Sequence, residues 1–462
     1  MEATLVEQLA VKWQGFRNFH MRESLTFKPL TFLIGKNNVG KSSLYAPLLV
    51  MKQTLSASNP DTALLSRGSL IDVGIFQDYI GGHDVERDLT LEISFGASAV
   101  QTKRNPPSRI STTFRSPDGI QAKVVSQSIY GADGTRTVRR KREVESSTFE
   151  IFESPLLPKN TPGRPRQEVA ALKKSMREEQ PQGFLFSGTG ALELPQRYMD
   201  NEESWKRVRN WYASARQLYS FQQHTVAHVS RALNGIKYIG PLRKSAQRTY
   251  RLGAESPSGV GTEGEYAPEL IFRARDSDTH NALNEWLSLL GYGELAFEAI
   301  GDDYFQMSLM TPGKGYRVNV AHTGTGVSQI LPILTQGVTS TSGQTLVFQQ
   351  PELHLNPAQQ TIVADFMIQQ VEDQKRVVVE SHSEHMLLRL RRRIAEGAIS
   401  SNDVAVYYVE SSRDVGTIVR EVPIDDIGNI EHSAWPAGFF EESLDDAFAM
   451  SIAQSRGKGG PR

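Results

Sequence analysis

The sequence predicts an α/β fold with a mainly parallel, buried sheet and a separate middle portion of strands and helices. Near the N-terminus, an apolar run, a glycine-rich loop and a helical pattern follow one another over residues 30–53. From residue 236 onward, short hydrophobic runs alternate with helical patterns, which is typical of parallel strands covered by helices. Between these parts, residues 89–151 alternate polar and apolar side chains, which indicates antiparallel strands.

The N-terminal portion, residues 1–95, is expected to form a strand, a loop and a helix in that order. Strands are expected at residues 9–13, 24–27 and 30–34, which are rich in β-branched and aromatic side chains. A helix is expected over residues 41–53, where leucines and a methionine recur at helical spacing.

The middle portion, residues 96–235, is expected to be an inserted domain that is basic and partly flexible. Residues 156–190 are rich in Pro, Gly, Lys, Arg and Gln, so we expect a mobile loop or an insertion there. Residues 195–233 carry an apolar stripe and predict one or two helices. The stripe contains Trp205, Val208, Trp211, Tyr212, Ala215, Leu218, Tyr219 and Phe221.

The C-terminal portion, residues 236–450, is expected to alternate strands and helices, and we expect the tail, residues 451–462, to be disordered. The predicted strands are 236–240, more than one strand within 295–310, and 345–348, 376–380 and 403–410. The predicted helices are 280–290, one beginning at 327, 357–371 and 384–395.

Composition excludes several classes of site. The chain has 462 residues, 51 Lys+Arg against 52 Asp+Glu, and no cysteine. Disulfides, thiolate zinc sites and iron–sulfur clusters are therefore excluded. The N-terminal residues lack the pattern of a secretory signal, and no apolar run approaches the roughly 20 residues of a membrane span. We expect a cytoplasmic protein without a membrane partner.

A phosphate-binding motif lies between the predicted strand at 30–34 and the helix after it. Residues 35–42 read GKNNVGKS, which fits G-x-x-x-x-G-K-[ST]. Gly35 and Gly40 allow successive N–H groups to face phosphate oxygens, and the helix adds its positive N-terminal end. We expect Lys41 to bridge the β- and γ-phosphates of a nucleoside triphosphate and Ser42 to hold Mg²⁺.

Three later segments place polar residues where α/β sheets bind ligands. Two glycines precede the helix start at Ser328, whose donors suit an anion. Two apolar strands end in polar residues, and the carboxyl ends of parallel strands form the ligand-binding edge of an open sheet. The polar residues at these ends are Gln349, Gln350, Glu352, Glu380 and His382.

Eight segments occur in an order that is typical of one group of ATPases. They are GFRNF (15–19), LTFLIGKNNVGKSSL (30–44), YIGPLR (238–243), VGTEGEYAPEL (260–270), GTGVSQILPIL (324–334), QQPELHLNP (349–357), SHSEHMLLRLRRRI (381–394) and WPAGFFEE (435–442). In this order they resemble the ABC-type ATPase heads of SMC and OLD-like proteins, in particular prokaryotic AAA family ATPases with a split head. The resemblance covers both ends of the chain but not its middle, and it implies an ABC-ATPase head that uses ATP and Mg²⁺.

The resemblance also implies roles for single residues. The segment GTGVSQ (324–329) would be the signature, which reaches the γ-phosphate bound by a second subunit. His382 would sense that phosphate, and Arg17 would contact the ribose or base side. Gln77, in IFQDYIG (75–81), would be the Q-loop residue. Each role has a structural alternative. Gln77 would then be a plain loop glutamine, Ser328 a polar group at a helix start, and His382 a capping histidine. We expect His354 and His385 to be structural. The implied nucleotide-binding residues are Gly35, Asn37, Asn38, Gly40, Lys41, Ser42, Ser43, Arg17, Gly324, Gly326 and Ser328, and the implied metal-site residues are Ser42, Gln77 and Gln349.

The strand that ends at residue 349 departs from the family pattern. Members normally carry there a carboxylate for the Mg²⁺ water shell and then an acidic residue or glutamine, whereas this chain has Gln349 and Gln350. A neutral amide neither balances Mg²⁺ nor accepts a proton from water. Four explanations stay open: Glu352 takes a catalytic role, Glu380 acts as base beside His382, ATP is bound with slow or no hydrolysis, or the glutamines are engineered. We expect slow hydrolysis, with Lys41, Gln350, Glu352, Glu380 and His382 as candidate catalytic residues.

The family implies that two copies of the chain enclose ATP. A signature segment cannot reach the phosphate loop of its own chain in such heads, so we expect a homodimer or larger homo-oligomer. The resemblance further implies a sensor or scaffold subunit of an antiphage system that controls a separate nuclease or toxin. No clustered acidic motif for a nuclease domain follows residue 442.

Two alternatives belong to other functional classes. The first is a DNA-binding, SMC-like repair or chromosome ATPase, since residues 101–176 carry fifteen Lys+Arg against seven Asp+Glu. Basic runs such as RTVRRKR (136–142) and LRLRRRI (388–394) attract phosphate backbones, although a solvated surface would look the same. The second alternative is an ATP-gated scaffold that does not hydrolyse ATP.

Overall fold

The computed structural model describes residues 8–96, 107–158, 167–188, 196, 200–311, 313, 315–412 and 416–431. The strands in these ranges are β1 (Leu9–Phe16), β2 (Phe19–His20), β3 (Leu25–Phe27), β4 (Leu30–Ile34), β5 (Leu89–Phe95), β6 (Pro107–Arg115), β7 (Lys123–Gly131), β8 (Arg136–Arg140), β9 (Glu150–Glu153), β10 (Ile236–Ile239), β11 (Tyr250–Arg251), β12 (Leu295–Ile300), β13 (Tyr304–Met310), β14 (Arg317–Asn319), β15 (Thr345–Gln349), β16 (Arg376–Glu380), β17 (Val404–Ser412) and β18 (Gly416–Glu421). The helices are α1 (Ala46–Leu55), α2 (Phe76–Tyr79), α3 (Gln167–Glu178), α4 (Glu202–Asn234), α5 (Ala267–Arg273), α6 (Asp278–Leu289), α7 (Thr325–Thr339), α8 (Pro357–Glu372) and α9 (Glu384–Ala395).

The central sheet combines strands from both ends of the chain. Its order is β10-β15-β16-β4-β17-β18, and the first five strands run parallel while β18 returns antiparallel to β17. Every residue of β4 and β16 is buried, which explains why these strands read as continuous hydrophobic runs. The predicted α/β fold with a mainly parallel sheet is confirmed.

A second, antiparallel sheet joins the N-terminal strands to those of the middle region. Its order is β2-β1-β5-β6-β7-β8-β9, with β3 also on β1. The sheet therefore continues through the predicted domain boundary at residues 95–96, because β5 pairs with both β1 and β6. Every second residue of β5 is apolar and buried, and these residues share one hydrophobic core with α1. The hydrophobic core therefore extends across the boundary that the sequence composition predicts.

A smaller sheet lies beside the C-terminal helices. It contains β11-β13-β12, and β14 also pairs with β13. The strands predicted within 295–310 are β12 and β13, which turn at Gly301, whose φ is 62°. The short helix α5, next to this sheet, was not predicted, because its seven residues follow a glycine-rich segment.

The prediction of a mobile loop over residues 156–190 is wrong for α3. Val169, Leu172 and Met176 recur at helical spacing and are buried against α4, while Lys174, Arg177 and Glu178 are exposed. The composition of the segment concealed this narrow apolar stripe. The predicted helical region at 195–233 contains the 33-residue helix α4.

The helix after the phosphate-binding motif begins later than predicted. Residues Lys41–Leu44 form a 3₁₀ helix, and α1 starts at Ala46 with Pro47 in its first turn. Pro47 suits a helix start because its missing N–H would have no partner there. The segment WPAGFFEE and the tail at 451–462 lie outside the described residues.

The basic run at 136–142 is largely paired within the protein. Arg139 is 2% exposed, and its Nη2 lies 2.6 Å from Glu179 Oε2. Arg136 pairs with Glu153 at 3.1 Å, and Arg142 with Glu150 at 2.8 Å. Within the described ranges, no helix combines the length and the apolar character needed to span a bilayer.

Candidate functional site

A cleft of about 660 Å³ opens at the carboxyl edge of the central sheet. Its size is typical of a small-molecule site. The glycine-rich loop after β4 forms one wall, and the ends of β15 and β16 form another. The lining comprises residues 17–19 and 37–43, Gln349, Gln350, Glu380, His382, Ser411 and Thr417.

The glycine-rich loop adopts a backbone that depends on its glycines. Gly35 has φ 143°, and a Cβ there would lie 2.2 Å from the carbonyl oxygen of Val409. Gly40 has φ 98°, and a Cβ there would lie 3.2 Å from the ring of Phe19. Asn38 is left-handed as well, with φ 61°, which asparagine tolerates better than most residues. The loop is therefore closely packed against β17 and the N-terminal strands.

The side chain of Lys41 folds back over this loop. Its Nζ donates to the carbonyl oxygens of Gly35 at 2.9 Å and Lys36 at 2.7 Å, and the residue is only 4% exposed. Burial lowers the pKa of Lys41, while the charges of Glu380 and Glu352 oppose that change. An ammonium group carries three donors, so one is available to an anion in the cleft.

Ser42 belongs to a chain of hydrogen bonds that crosses the sheet edge. Its Oγ donates to Glu380 Oε2 at 2.8 Å and accepts from Gln349 Nε2 at 3.1 Å. Tyr45 donates its hydroxyl to the same Glu380 oxygen at 2.6 Å, and Tyr238 donates to Gln349 Oε1 at 2.7 Å. Burial and the neighbouring charge of Glu380 raise the pKa values of both tyrosines, which keeps them protonated as donors.

Arg243 holds the end of β15 from behind the cleft. Its Nη2 donates to the carbonyl oxygens of Gln349 at 2.6 Å and Gln350 at 3.1 Å. Gln350 has a left-handed φ of 47°, and its N–H donates to the Glu380 carbonyl at 2.7 Å. Burial lowers the pKa of Arg243 to about 10, well above neutral pH, so the guanidinium stays charged. The turn after β15 is thus fixed through its main chain.

Glu352 orients the next strand end and does not line the cleft. It is 7% exposed, and its Oε1 accepts a hydrogen bond of 2.7 Å from the N–H of His382. Burial raises the pKa of Glu352. Burial and then the charge of Lys41 lower the pKa of His382, whose side chain does line the cleft. The geometry makes Glu352 a support for His382.

Arg17 reaches the cleft from the turn between β1 and β2. Its Nη1 donates to Ser43 Oγ at 2.9 Å, and its N–H donates to the Tyr79 carbonyl at 2.7 Å. Burial lowers the pKa of Arg17. The structure therefore brings Arg17 and Ser43 to the same wall as the phosphate loop, where the sequence had placed them by resemblance.

The remaining predicted residues lie away from the cleft in this chain. Gln77 is exposed on α2, and its N–H donates to the carbonyl of Gly119 at 2.9 Å. Gly324 is the exposed cap of α7, and Ser328 Oγ donates to the Thr325 carbonyl at 2.8 Å. Among the described residues, Gln77 contacts no group of the candidate metal site. The structure therefore gives no support to its predicted role at Mg²⁺.

Sequence reasoning missed the roles of Tyr45, Tyr238 and Arg243. Tyr45 follows Ser42 by three residues, but nothing in its sequence context marks its hydroxyl as a partner of Glu380. Tyr238 and Arg243 lie in YIGPLR, a segment that contributes to the family resemblance but to which the sequence assigns no role. The one indication of a role is that these polar side chains occur within a short apolar segment.

The cleft residues fit a magnesium ion that arrives with phosphates. Mg²⁺ prefers oxygen ligands and commonly uses one or two carboxylates together with substrate phosphates. The Ser42 hydroxyl and the Glu380 carboxylate supply such oxygens side by side. In the described part of the chain, no group of three or more His, Asp or Glu side chains could hold a metal alone.

Comparisons with known proteins give one short family match and several structural ones. Residues 399–450 match a family described as a protein of unknown function (DUF3696). No curated protein matches the chain. Among solved structures, an Smc head bound to the C-winged helix domain of ScpA is 10% identical, with a TM-score of 0.42 and coverage of 91% of this chain and 98% of that one.

Two further solved structures are SMC head domains from named organisms. The head with an extended coiled coil, bound to the C-terminal domain of ScpA, from Pyrococcus furiosus is 12% identical, with a TM-score of 0.37 and coverage of 90% and 96%. The head from Thermotoga maritima is 11% identical, with a TM-score of 0.36 and coverage of 90% and 98%. The interpretation of the cleft rests on its own residues.

Proposed function

We propose that the chain is an ABC-type, SMC/OLD-like ATPase head that binds Mg·ATP in the cleft at the sheet edge. The observation that carries this proposal is the position of Lys41, whose ammonium lies inside a left-handed glycine loop at the carboxyl end of a parallel sheet. Main-chain N–H groups of such a loop and a buried ammonium are suited to a triphosphate. Bound Mg²⁺ would neutralise phosphate charge.

Each side chain of the cleft has a role in this proposal. Lys41 binds phosphate oxygens, Ser42 and Glu380 face the metal, and His382 contacts the terminal phosphate. Arg17 lies on the wall of the phosphate loop and contacts the ribose or base side. Gly324, Gly326 and Ser328 act on the nucleotide of a second chain, since α7 presents its exposed start away from the cleft of its own chain. The active form is accordingly a homodimer or larger homo-oligomer.

The biological role proposed here is that of a sensor or scaffold in an antiphage system, controlling a separate nuclease or toxin. This role rests on the resemblance of the sequence motifs. A cytoplasmic location accompanies it. The DNA-binding alternative loses Arg139, which is buried in a pair with Glu179, whereas Arg136 and Arg142 form weak surface pairs and stay accessible.

A specific observation favours slow or absent hydrolysis. The end of β15 offers the cleft two amides, Gln349 and Gln350, and Glu352 turns toward the N–H of His382. Among the described lining residues, Glu380 is the single carboxylate, and it already accepts two hydrogen bonds. A general base for the attacking water is therefore poorly supplied.

Two measurements test the proposal. Phosphate release at saturating Mg·ATP is expected to be slow for the wild type and absent for Lys41→Ala. If both rates equal the background while only the wild type binds ATP, the chain is an ATP-gated scaffold and not an enzyme. Mass in solution is expected to rise with ATP, and a monomer under both conditions would contradict the composite site.

A further inference from the structure

We infer that Glu380 supplies the metal-side carboxylate of the nucleotide site, one strand away from the position where the sequence pattern would place it. The inference rests on the proposed function, because it concerns how the bound Mg·ATP is held. The first observation is the register of the sheet. Gln349 and Glu380 are direct partners in the parallel pairing of β15 and β16, so their side chains leave adjacent strands at the same height.

The second observation is the direction of each hydrogen bond around Ser42. A serine hydroxyl has one proton, and here it is donated to Glu380 Oε2. Ser42 Oγ must therefore accept from Gln349, which presents its Nε2 at 3.1 Å. The amide oxygen of Gln349 faces the other way and accepts from Tyr238 at 2.7 Å. The amide thus turns an N–H, and not an oxygen, toward the metal side.

Because the Gln349 amide directs its N–H toward Ser42, Gln349 is not a metal ligand in this inference, although the sequence predicts it as one. An N–H group repels a cation, whereas a carboxylate oxygen attracts it and contributes charge. Glu380 lies beside the Ser42 hydroxyl, the group expected to contact Mg²⁺, and is 5% exposed. Its second oxygen is free of the two bonds that Oε2 accepts from Ser42 and Tyr45.

Tyr45 positions the Glu380 carboxylate through a hydrogen bond. It is 1% exposed, and its hydroxyl lies 2.6 Å from Glu380 Oε2. Tyr45 lies at the junction between the 3₁₀ turn and α1.

The test exchanges the two side chains between the paired strands. The variants are Glu380→Gln, Gln349→Glu and the double variant Gln349→Glu/Glu380→Gln, which has the composition of the wild type. The readouts are binding of a non-hydrolysable ATP analogue in EDTA and in Mg²⁺, and the affinity for Mn²⁺ in the presence of the analogue, measured by electron paramagnetic resonance. Glu421→Gln, at the exposed end of β18, is the control for loss of a carboxylate.

Glu380→Gln is expected to weaken Mn²⁺ binding by about 10- to 100-fold, the range for lost metal-site groups, while analogue binding in EDTA is retained. The double variant is expected to recover most of this loss, and Glu421→Gln to match the wild type. If Glu380→Gln does not fold, Glu380→Asp retracts the carboxylate by one methylene and is expected to weaken Mn²⁺ binding too.

Failure of this inference differs from failure of the proposed function. Wild-type Mn²⁺ affinity in Glu380→Gln or Glu380→Asp, or no recovery in the double variant, would overturn the role of Glu380 while ATP binding stands. A wild type that binds no analogue under either condition would overturn the proposed function and this inference with it.

Discussion

The guanidinium of Arg243 donates a 2.6 Å hydrogen bond to the main-chain carbonyl of Gln349. The main chain of the same arginine contacts α7, because Gln329 Nε2 donates to the Arg243 carbonyl at 3.3 Å. One buried residue therefore touches both the end of β15 in the cleft and the first turns of the helix that carries the signature. Arg243 therefore links α7 to the cleft within the chain.

Replacing Arg243 by methionine is expected to destabilise the protein by about 2 kcal/mol. The change removes two charged hydrogen bonds worth roughly 1.5–3 kcal/mol each, but it also removes a buried guanidinium whose Nε and Nη1 have no hydrogen-bond partner, which offsets part of the loss. The free energy of unfolding in urea measures the effect. Arg251→Met is the matched control, since its side chain is 70% exposed and its ion pair with Asp303 spans 4.0 Å. Equal losses in the two variants would contradict the role of Arg243.

Gly337→Ala in α7 is expected to destabilise the protein, against the usual gain. Alanine normally stabilises a helix interior by about 1 kcal/mol relative to glycine. At this position a Cβ would lie 2.2 Å from Cζ of Phe366 on α8, so overpacking should cost about 1–3 kcal/mol. The cost should largely disappear in a Phe366→Leu background, which removes the end of the ring. A stabilising Gly337→Ala in the wild type would contradict this packing.

The buried pair of Arg139 and Glu179 is expected to be strongly coupled. Arg139→Met leaves Glu179 buried without its cation and should cost about 3–5 kcal/mol, and Glu179→Gln in the same chain should recover part of it. A double-mutant cycle on unfolding free energies measures the coupling. The exposed pair of Lys206 and Glu202, 2.6 Å apart on α4, serves as control with an expected coupling of at most about 0.5 kcal/mol. Similar couplings for both pairs would count against a buried link between β8 and the residue that follows α3.

Lys52 is expected to make stability depend on alkaline pH. Burial, and then the charge of Lys237, lower its pKa to about 8 in the folded state, below its ordinary value of 10.5. Between these values the unfolded chain binds more protons, so stability should rise as pH rises from about 8 toward 10.5. The difference in Tm between the wild type and Lys52→Met, measured from pH 7 to 9.5, should shift in favour of the wild type above pH 8. A constant difference would show that Lys52 titrates normally.

The sequence was sufficient for the order of strands and helices in the central sheet. Buried strands such as β16 read as hydrophobic runs, and helices such as α9 carry regular stripes, so local pattern and final burial agree. The sequence was not sufficient for α3, because only three apolar residues, set among charged ones, anchor this helix in the core. Nor could composition reveal that β5 and β6 pair across the predicted boundary, because pairing depends on partners distant in the chain.

The candidate site shows the same division between local and distant information. The phosphate loop is a local motif, and the structure places Lys41 and Ser42 in one cleft with Glu380 and His382, as predicted. The orientation of the Gln349 amide depends on Tyr238, 111 residues away, and the surroundings of Glu380 depend on Tyr45, 335 residues away. Such contacts follow from the assembled sheet edge and cannot be derived from spacing along the chain.

The most direct test of the account is the affinity for Mg·ATP, measured by isothermal titration calorimetry on the wild type, Lys41→Ala and Lys36→Ala. Lys36 stands in the same loop, but it is exposed and does not line the cleft. Loss of the charged hydrogen bonds of Lys41 should weaken binding at least about tenfold. We expect Lys36→Ala to bind as the wild type does. A wild type that does not bind ATP, or a Lys41→Ala variant that binds it equally well, would contradict the assignment of the cleft as a nucleotide site.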